Sequence, residues 1–241
     1  MHRFFAERAE GATAHLSPDE AKHAVRVLRL KPGDPIQVVW QEQLYAARLL
    51  TAGETATAEL LQALPSPEPR TRVTLYQGLP KGDKMDFIAQ KVTEAGVHAV
   101  VPVAMERCVA RYTEKDGARK AERWQRIALE AAKQSGRTHI PRIETPISAG
   151  QLPDRLARHP LILVPWEEER TLPLKDALSA HPDARDVAVV IGPEGGMSAE
   201  ELAPLRAIGA VPVTLGPRIF RTETAGLAAL IMLLYEKGDY A

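Results

Sequence analysis

Hydrophobic and polar positions follow two different patterns along the chain, and the pattern changes near residue 70. Before that point, short apolar runs partly alternate with polar residues, as in half-buried strands. These runs cover residues 35–40, 44–50 and 57–64. Ser17 is a predicted N-cap, Pro18 suits the first helical position, and Glu20 forms a capping box with Ser17. One helix is therefore predicted to start there and to continue through Leu28. The pattern predicts a small β-barrel that carries one helix.

After residue 70, short apolar runs alternate with amphipathic helical patterns. Strands are predicted at 73–77, 97–103, 161–164, 187–191 and 211–215. Helices are predicted at 84–95, at 118–134, after the capping box of Ser198 and Glu201, and at 224–235. This alternation is typical of a mostly parallel sheet covered on both faces, so the predicted fold class is α/β.

A proline-rich stretch separates the two patterns. Pro65, Pro67 and Pro69 occupy alternate positions, which favours an extended and stiff spacer. The sequence therefore predicts two domains, residues 1–70 and residues 71–241.

Composition and charge narrow the class of protein. The 241 residues are 45% hydrophobic and 26% charged, as in an ordinary globular protein, and 31 basic and 31 acidic side chains give a net charge of zero. Cys108 is the only cysteine, which excludes an intramolecular disulfide, and it is predicted to be a buried apolar residue. No metal site, no signal peptide and no membrane span is expected, and the expected location is cytoplasmic.

Two loops carry the candidate chemistry. In each, an apolar run stops at Gly-Pro, at Gly192 and again at Gly216, and polar residues that open a helix follow. The first loop, residues 192–196, lacks the lysine and hydroxyl of a phosphate loop and the spacing of a dinucleotide loop, and Glu194 would repel a phosphate. It suits a ligand with a positive centre, such as the sulfonium of S-adenosylmethionine. The alternative is that both loops are ordinary strand-to-helix turns.

The second loop contains Arg218 and Arg221, three residues apart, followed by Glu223. Arginine presents a planar, permanently charged fork that suits phosphate oxygens or the carbonyl edge of a base. In a structural alternative, Arg221 and Glu223 only cap the helix or pair with each other.

Positive charge is concentrated between Val101 and Arg142, a segment that contains ten basic and five acidic residues. Arg119, Arg123, Arg126, Lys133 and Arg137 recur near helical spacing, as a surface that binds an RNA backbone requires. A solvated helix face is an equally good interpretation of the charge alone.

Several stretches together resemble one family, the bacterial 16S ribosomal RNA uridine-N3 methyltransferases of the SPOUT superfamily. They lie in the family's order across both predicted domains, and the collinear set is highly specific although each motif alone is only suggestive. The matching stretches are 26–29 with 32–34, 84–86 with 90–97, 106–108, Arg123 and Trp124 with Glu130 and Ala131, 134–137, 191–196, and 215–218 with 221–225. A common family pattern has an aliphatic residue where this chain has Phe220.

The resemblance implies a small PUA-like β-barrel followed by a SPOUT domain with a deep trefoil knot, assembled as a homodimer. It also implies S-adenosylmethionine as the cofactor and a single uridine of 16S ribosomal RNA near the decoding centre, in the small ribosomal subunit, as the substrate. The cofactor-binding residues implied are Leu163, Val164, Pro165, Ile191, Gly192, Pro193, Glu194, Gly195, Gly196, Leu215, Gly216, Ile219, Arg221 and Thr222.

The reaction itself suggests roles for the charged residues. Uridine N3 must lose its proton before it can attack a methyl group, so the site must stabilise an anionic uracil or accept the proton. Arg221 or Arg218 is expected to do the first, and Glu223 or Glu194 the second. The expected RNA-binding residues are Arg3, Arg26, Arg29, Arg107, Arg123, Arg126 and Arg137. The alternatives are methylation of another RNA atom, such as a ribose 2'-hydroxyl, and a non-catalytic protein that binds RNA or assists ribosome assembly.

Overall fold

A computed structural model describes residues 1–110 and 112–240, so Arg111, one of the ten basic residues counted above, lies outside the described residues. The chain forms two compact units. The first comprises Met1–Glu68 together with Lys133–His139, and the second comprises Pro69–Ala132 and Ile140–Ala241. The sequence patterns gave no sign that a segment from the middle of the chain belongs to the first unit.

The first unit is a closed five-stranded barrel. Its strands are β1 (Arg3–Glu10), β2 (Thr13–Leu16), β3 (Pro35–Trp40), β4 (Gln43–Ala52) and β5 (Ala56–Leu64). They are joined in the order β1-β2-β5-β4-β3, and a parallel pairing of β1 with β3 closes the barrel. Helix α1 (Pro18–Lys22) starts at Ser17, whose hydroxyl accepts the Glu20 N–H, and a π-helical turn over His23–Val27 continues it. The predicted barrel with one helix is confirmed.

Strands β1 and β2 were not predicted, because their sequences lack an apolar alternation. Within β1 only Phe4 is buried, and most of the other side chains are polar. The four residues of β2 bury Ala14 and Leu16, which is too short a pattern to distinguish from a loop. Both strands are held by their barrel neighbours rather than by their own sequence preference.

Glu68, in the proline-rich stretch, is the centre of a hydrogen-bonded cluster within the first unit. Its carboxylate accepts hydrogen bonds from Arg137 Nε (3.0 Å) and Nη2 (2.6 Å) and from the backbone N–H groups of Thr138 (2.7 Å) and His139 (3.1 Å). Burial opposes the charged form of Glu68, but the bonds from Arg137 and the two backbone groups outweigh burial and hold the pKa of Glu68 below its usual value. The cluster anchors residues 133–139 in this unit.

Replacement of Glu68 by glutamine is expected to lower the free energy of unfolding by about 2–4 kcal/mol, because the buried Arg137 loses its counter-charge. Since the folded-state pKa of Glu68 is lowered, its stabilisation is complete above the ordinary value of 4.5 and is lost as the pH falls through the lower folded-state value. Urea unfolding of the wild type and the variant across this pH range measures both effects. The exposed Glu54→Gln is the matched control, and equal neutral-pH stability of Glu68→Gln and wild type would contradict the prediction.

The second unit contains a seven-stranded sheet in which every pairing is parallel. The strands are β6 (Arg72–Gly78), β7 (Ala99–Ala104), β8 (Arg142–Ile143), β9 (Ile147–Ser148), β10 (Leu161–Pro165), β11 (Asp186–Ile191) and β12 (Val211–Val213). Their order is β12-β10-β11-β6-β7-β8, and β9 also pairs with β7. The predicted α/β class with a mostly parallel sheet is confirmed. The trefoil knot stays a prediction.

In the described part of this unit, six α-helices accompany the sheet. They are α2 (Lys84–Glu94), α3 (Glu114–Ser135), α4 (Leu152–Leu156), α5 (Leu174–Ser179), α6 (Ala199–Ala207) and α7 (Thr222–Glu236). The residues of α3 from Lys133 onward belong to the first unit. Helices α4 and α5 were not predicted, since five and six residues show no clear helical period. Within the described residues, no helix is long and apolar enough to cross a membrane.

The strand predicted at 211–215 ends at Val213, so that prediction was too long. Thr214 leaves the sheet and exchanges backbone hydrogen bonds with Leu172 and Leu174 instead. Helix α7 begins at Thr222, two residues before its predicted start. The chain between Thr214 and Thr222 is therefore a loop at the carboxyl edge of the sheet, where ligands of parallel α/β sheets are usually bound.

Candidate active site

The loops that follow β10, β11 and β12 enclose a cavity of about 570 Å³ in the second unit. These three strands are neighbours in the sheet, so their loops leave the same edge side by side. Lys84 of α2 and the start of α7 complete the wall. The volume lies within the range of small-molecule and cofactor sites, roughly 300–1,000 Å³. The cavity is therefore the candidate active site.

Most residues expected to bind the cofactor line this cavity. They are Pro165, Ile191, Gly192, Pro193, Glu194, Gly195, Gly196, Leu215, Gly216, Ile219, Arg221 and Thr222. Leu163 and Val164 are different, because both are fully buried in the middle of β10 and do not line the cavity. Both pack β10 between its neighbouring strands, and their contact with a cofactor stays a prediction.

The loop after β10 packs directly on the glycine loop after β11. The indole N–H of Trp166 donates a hydrogen bond to the backbone oxygen of Met197 (3.2 Å). Gly196 has a φ of +73°, and a Cβ placed there would overlap the carboxylate of Glu167. The left-handed backbone favours glycine at position 196, and the exposed Glu167 carboxylate would have to move to admit a side chain there. These contacts set the width of the cavity between the two loops.

A buried chain of hydrogen bonds connects the glycine loop to the start of α7. The Thr222 hydroxyl donates to the backbone oxygen of Gly192 (2.7 Å) and accepts from the side-chain amide of Gln77 (2.9 Å). Gln77 is fully buried in β6, and its amide also donates to the backbone oxygen of Gly78 (3.0 Å). Thr222 and Gln77 thus join β6, the glycine loop and α7 into one rigid wall.

Lys84 connects the two carboxylates of the site. Its ammonium lies 2.9 Å from Glu194 Oε1 and 3.1 Å from Glu223 Oε2. The hydrogen bond with Glu194 and then that with Glu223 raise the pKa of Lys84. Burial opposes the charged form of both glutamates, yet the pKa of each is lowered. For Glu194 the main causes are the hydrogen bonds from Lys84 and from the Lys81 N–H. For Glu223 they are the hydrogen bond from its own N–H and that from Lys84. All three groups are therefore charged at neutral pH.

Lys84 was not among the predicted site residues, although the stretch 84–86 is one of the motifs that carry the family resemblance. Glu223, expected in a catalytic role, does not line the cavity itself and reaches it through Lys84. The signal that could have identified Lys84 is its place at the first position of a helix that follows the carboxyl end of β6.

Both arginines of the second loop line the cavity with exposed side chains. Arg221 occupies the N-cap position of α7, but its side chain makes no capping hydrogen bond, and Glu223 forms its ion pair with Lys84. In residues 1–110 and 112–240, no hydrogen bond or salt bridge engages the guanidinium of Arg218 or Arg221. Side-chain capping and an Arg221–Glu223 ion pair, the structural alternative for this loop, are not found. The two charges are available to a ligand.

The rim after β10 is ordered by Glu169. Its carboxylate accepts hydrogen bonds from the Thr171 hydroxyl (2.6 Å), the Thr171 N–H (2.7 Å) and the Leu172 N–H (3.1 Å). The bond from the Thr171 hydroxyl, followed by the backbone bonds, lowers the pKa of Glu169 to about 2. Glu169 is thus ionised at neutral pH and holds this loop in a fixed turn beside the cavity.

The expected RNA-binding residues of the first unit fall into two groups. Arg26 and Arg29 are exposed. Arg3 instead donates two hydrogen bonds to Gln37 Oε1 (3.1 and 3.0 Å), and burial lowers the pKa of Arg3. Arg137 is buried and bound to Glu68. The guanidinium groups of Arg3 and Arg137 already bind internal acceptors, and their role in RNA binding stays a prediction.

In the second unit, Arg107 donates a hydrogen bond to the backbone oxygen of Gly195 (3.1 Å) and so supports the glycine loop. Arg123 forms an ion pair with Asp86 of α2, whose other oxygen accepts the Trp124 indole N–H (3.1 Å). Arg126 is exposed on the same helix. Among the described residues, Arg107 and Arg123 therefore make internal contacts, whereas Arg126 makes none.

Two family profiles match the chain. One described as an RNA methyltransferase domain matches residues 66–234, and one described as an RNA methyltransferase PUA domain matches residues 16–61. The protein named ribosomal RNA small subunit methyltransferase E of Bacillus subtilis (strain 168) is 36% identical over 248 residues, which cover 98% of this chain and 97% of that relative. The Aquifex aeolicus (strain VF5) protein of the same name is 32% identical and covers 97% and 99%.

Solved methyltransferase structures also align with nearly the whole of this chain. A ribosomal RNA small subunit methyltransferase E from Neisseria gonorrhoeae, bound to S-adenosylmethionine, aligns with a TM-score of 0.81 at 32% identity over 97% of this chain and 96% of that one. A methyltransferase structure from Legionella pneumophila, also with this cofactor, aligns with a TM-score of 0.79 at 30% identity over 96% of each chain.

Proposed function

This chain belongs to the RNA methyltransferase family that includes the ribosomal RNA small subunit methyltransferases E, and from that premise we propose that it methylates N3 of one uridine in 16S ribosomal RNA near the decoding centre. The family resemblance drawn from the motifs is confirmed. The protein is an S-adenosylmethionine-dependent methyltransferase of small-subunit ribosomal RNA, and the uridine and its N3 atom are the proposed part.

The cavity residues fit the cofactor in size and charge. The carboxylate of Glu194 faces a space in which a sulfonium cation is favourable, and the backbone of the glycine loop offers the amide edges that an adenine ring needs. When bound there, S-adenosylmethionine supplies an electrophilic methyl group, and the protein supplies position and electrostatic field. The residues that would hold it are those of the loops after β10, β11 and β12.

The observation that carries the N3 proposal is the pair of unengaged arginines at the cavity rim. Arg218 and Arg221 present positive charge where a uracil ring would enter. Loss of the N3 proton leaves negative charge on the ring, shared with its two carbonyl oxygens. A guanidinium close to those oxygens stabilises the anion, which is the form able to attack a methyl group. A ribose hydroxyl would have no such delocalised charge for the pair to stabilise.

Glu194 and Glu223 are poor candidates for the proton acceptor. Lys84 binds both carboxylates and contributes to the lowering of the pKa of each, which makes each a weaker base. We therefore assign the main catalytic contribution to electrostatic stabilisation by Arg221, with Arg218 beside it.

Incubation of the purified protein with S-adenosylmethionine and small-subunit RNA, followed by nucleoside mass spectrometry, tests the proposal. The expected product is 3-methyluridine. A 2'-O-methylated nucleoside would instead support the ribose alternative. Absence of any product, together with absence of S-adenosylmethionine binding in calorimetry, would support a non-catalytic protein that binds RNA or assists ribosome assembly.

The first unit is the proposed RNA-binding domain. The division into two domains that the sequence predicts, residues 1–70 and residues 71–241, also stays a proposal. Arg26 lies in the π-helical turn after α1 and Arg29 lies just beyond its end; both are exposed, and Val27 between them is 65% exposed. Positive charges beside an exposed apolar residue suit the backbone and bases of RNA. We propose Arg26 and Arg29 of the first unit, and Arg126 of the second unit, as RNA-binding residues.

Replacement of Arg26 and Arg29 together by glutamate is expected to weaken RNA binding by about tenfold or more and to reduce the slope of log affinity against log salt by about two. The reason is that two phosphate contacts are lost. Filter binding at several salt concentrations measures both quantities. Arg8→Glu is the control, since Arg8 is exposed on the same unit but already pairs with Glu10 (2.9 Å), and an unchanged slope in the double variant would contradict the prediction.

We also propose a homodimer, located in the cytoplasm. Helix α7 carries three exposed hydrophobic side chains, Ile231, Met232 and Tyr235, the last of them 71% exposed. An apolar helix face of this kind is typical of a protein interface. Light scattering of the purified protein tests the assembly, and a monomer at micromolar concentration would contradict it.

A further inference from the structure

Lys84 occupies a position that the proposed reaction does not use. It begins α2, and its ammonium reaches two other parts of the site: Glu194 in the glycine loop and Glu223 in the first turn of α7. Glu194 Oε1 also accepts the backbone N–H of Lys81 (3.1 Å). The side chain of Lys84 is only one-third exposed, and that of Glu223 is 18% exposed. Three chain segments that wall the cavity therefore meet at one nitrogen atom.

The two carboxylates would not stay together without this cation. Glu194 Oε1 and Glu223 Oε2 both bind the same nitrogen, so they lie within about 6 Å of each other, where like charges repel strongly enough to shift a pKa. Glu194 lies between Pro193 and Gly195, which both line the cavity, so movement of its side chain displaces the cofactor loop. Isolated exposed ion pairs contribute little to stability, but a cation shared by two partly buried carboxylates is a different case.

We propose that Lys84 is a positioning residue for the cofactor site: by neutralising Glu194 and Glu223 at once, it sets the distance between the glycine loop and α7 that S-adenosylmethionine requires. The inference rests on the cofactor site described above and not on the identity of the methylated RNA atom. Lys84 acts through the two glutamates and needs no contact with the reacting atoms.

Removal of Lys84 would have two opposing effects on the affinity for S-adenosylmethionine, and the position of the glycine loop indicates which one is larger. The uncompensated negative charge would by itself attract a sulfonium cation and tighten binding. Repulsion between Glu194 and Glu223 would move the loop and weaken binding. Because the loop contributes Gly192 to Gly196 to the wall, whereas the sulfonium is a single charge partly screened by water, displacement of the loop dominates.

Calorimetry with S-adenosylmethionine, in the absence of RNA, tests this inference. Lys84→Met is expected to weaken cofactor binding at least tenfold, whereas Lys84→Arg, which keeps the charge, stays within about threefold of wild type. The exposed Lys175→Met, on α5 of the same unit, is the matched control and should bind normally. Circular dichroism and thermal unfolding of each variant establish that it is folded.

A second substitution separates charge balance from mere loss of the lysine side chain. Glu194→Gln in the Lys84→Met background removes the repulsion, so the double variant should recover affinity to within about threefold of Glu194→Gln alone. Unchanged or tighter binding by Lys84→Met would overturn the inference, and so would a double variant as weak as Lys84→Met. Failure of the N3 proposal would leave these affinities unaffected, because no RNA is present.

Discussion

Replacement of Arg221 by alanine is expected to reduce the rate of methyl transfer to RNA by about 10²–10³-fold, while the affinity for S-adenosylmethionine changes by no more than a few-fold. Arg221 lines the cavity, its side chain is exposed, and it holds the N-cap of α7 through its backbone only. Loss of the guanidinium therefore leaves the fold and the glycine loop in place and removes the charge that stabilises anionic uracil. Single-turnover kinetics and calorimetry measure the two quantities separately.

The conservative variant Arg221→Lys should retain a larger part of the activity, since it keeps the charge and loses the planar fork. Arg48→Ala is the control for general effects, because Arg48 is an exposed arginine on strand β4 of the first unit. Turnover by Arg221→Ala equal to that of wild type would remove Arg221 from the catalytic role. Equal loss of turnover and of cofactor affinity would reduce Arg221 to a cofactor ligand.

Gly78→Ala is expected to lower the catalytic efficiency by about 100-fold, through a displaced glycine loop. Gly78 ends β6, and a Cβ there would lie 2.6 Å from the backbone nitrogen of Pro193 and 2.8 Å from the carbonyl carbon of Gly192. Both neighbours are backbone atoms, so the loop must move away as a unit. Overpacking of this kind also costs about 1–3 kcal/mol of stability.

The matched control is Gly150→Ala in the same unit. A Cβ at Gly150 would meet nothing closer than the Ser148 hydroxyl at 4.0 Å, so this variant should bind the cofactor and turn over normally. Steady-state kinetics, calorimetry with S-adenosylmethionine and thermal unfolding test both variants. Normal cofactor affinity in Gly78→Ala would show that the approach of β6 to Pro193 is not needed for the site.

The sequence predicted those parts of the fold in which local pattern and tertiary environment agree. The central strands β6 and β11 are mostly apolar, and both are buried on both faces after their first residue. The helix after Ser198 was predicted from its capping box, which is present, with the Ser198 hydroxyl accepting the Glu201 N–H (3.2 Å). Strands β1 and β2 and the placement of residues 133–139 in the first unit depend on distant partners, and no local pattern reveals those.

The candidate site also has parts that local sequence patterns predict and parts that depend on distant partners. The glycine loop and the arginine loop were found because Gly-Pro after an apolar run marks a strand end. Their meeting in one cavity depends on the order β12-β10-β11, which spacing along the chain does not give. Lys84 was missed for this reason, since it comes 110 residues before Glu194 and becomes part of the site only through the topology of the sheet.

Arg123 and Arg137 show the limit of charge patterns. Both lie at helical spacing with other basic residues, which indicated an RNA-binding face. The structure pairs Arg123 with Asp86 and Arg137 with Glu68, two acidic residues that are 37 and 69 positions away along the chain. Which basic residues also have an internal acceptor depends on these distant partners, and no spacing along the chain reveals it.

The most direct test of the central claim is the modification map of small-subunit ribosomal RNA from a cell that lacks this protein. We expect the loss of a single 3-methyluridine near the decoding centre, restored by the wild-type protein and not by Arg221→Ala. An unchanged map, or the loss of a ribose 2'-O-methyl group in place of 3-methyluridine, would contradict it.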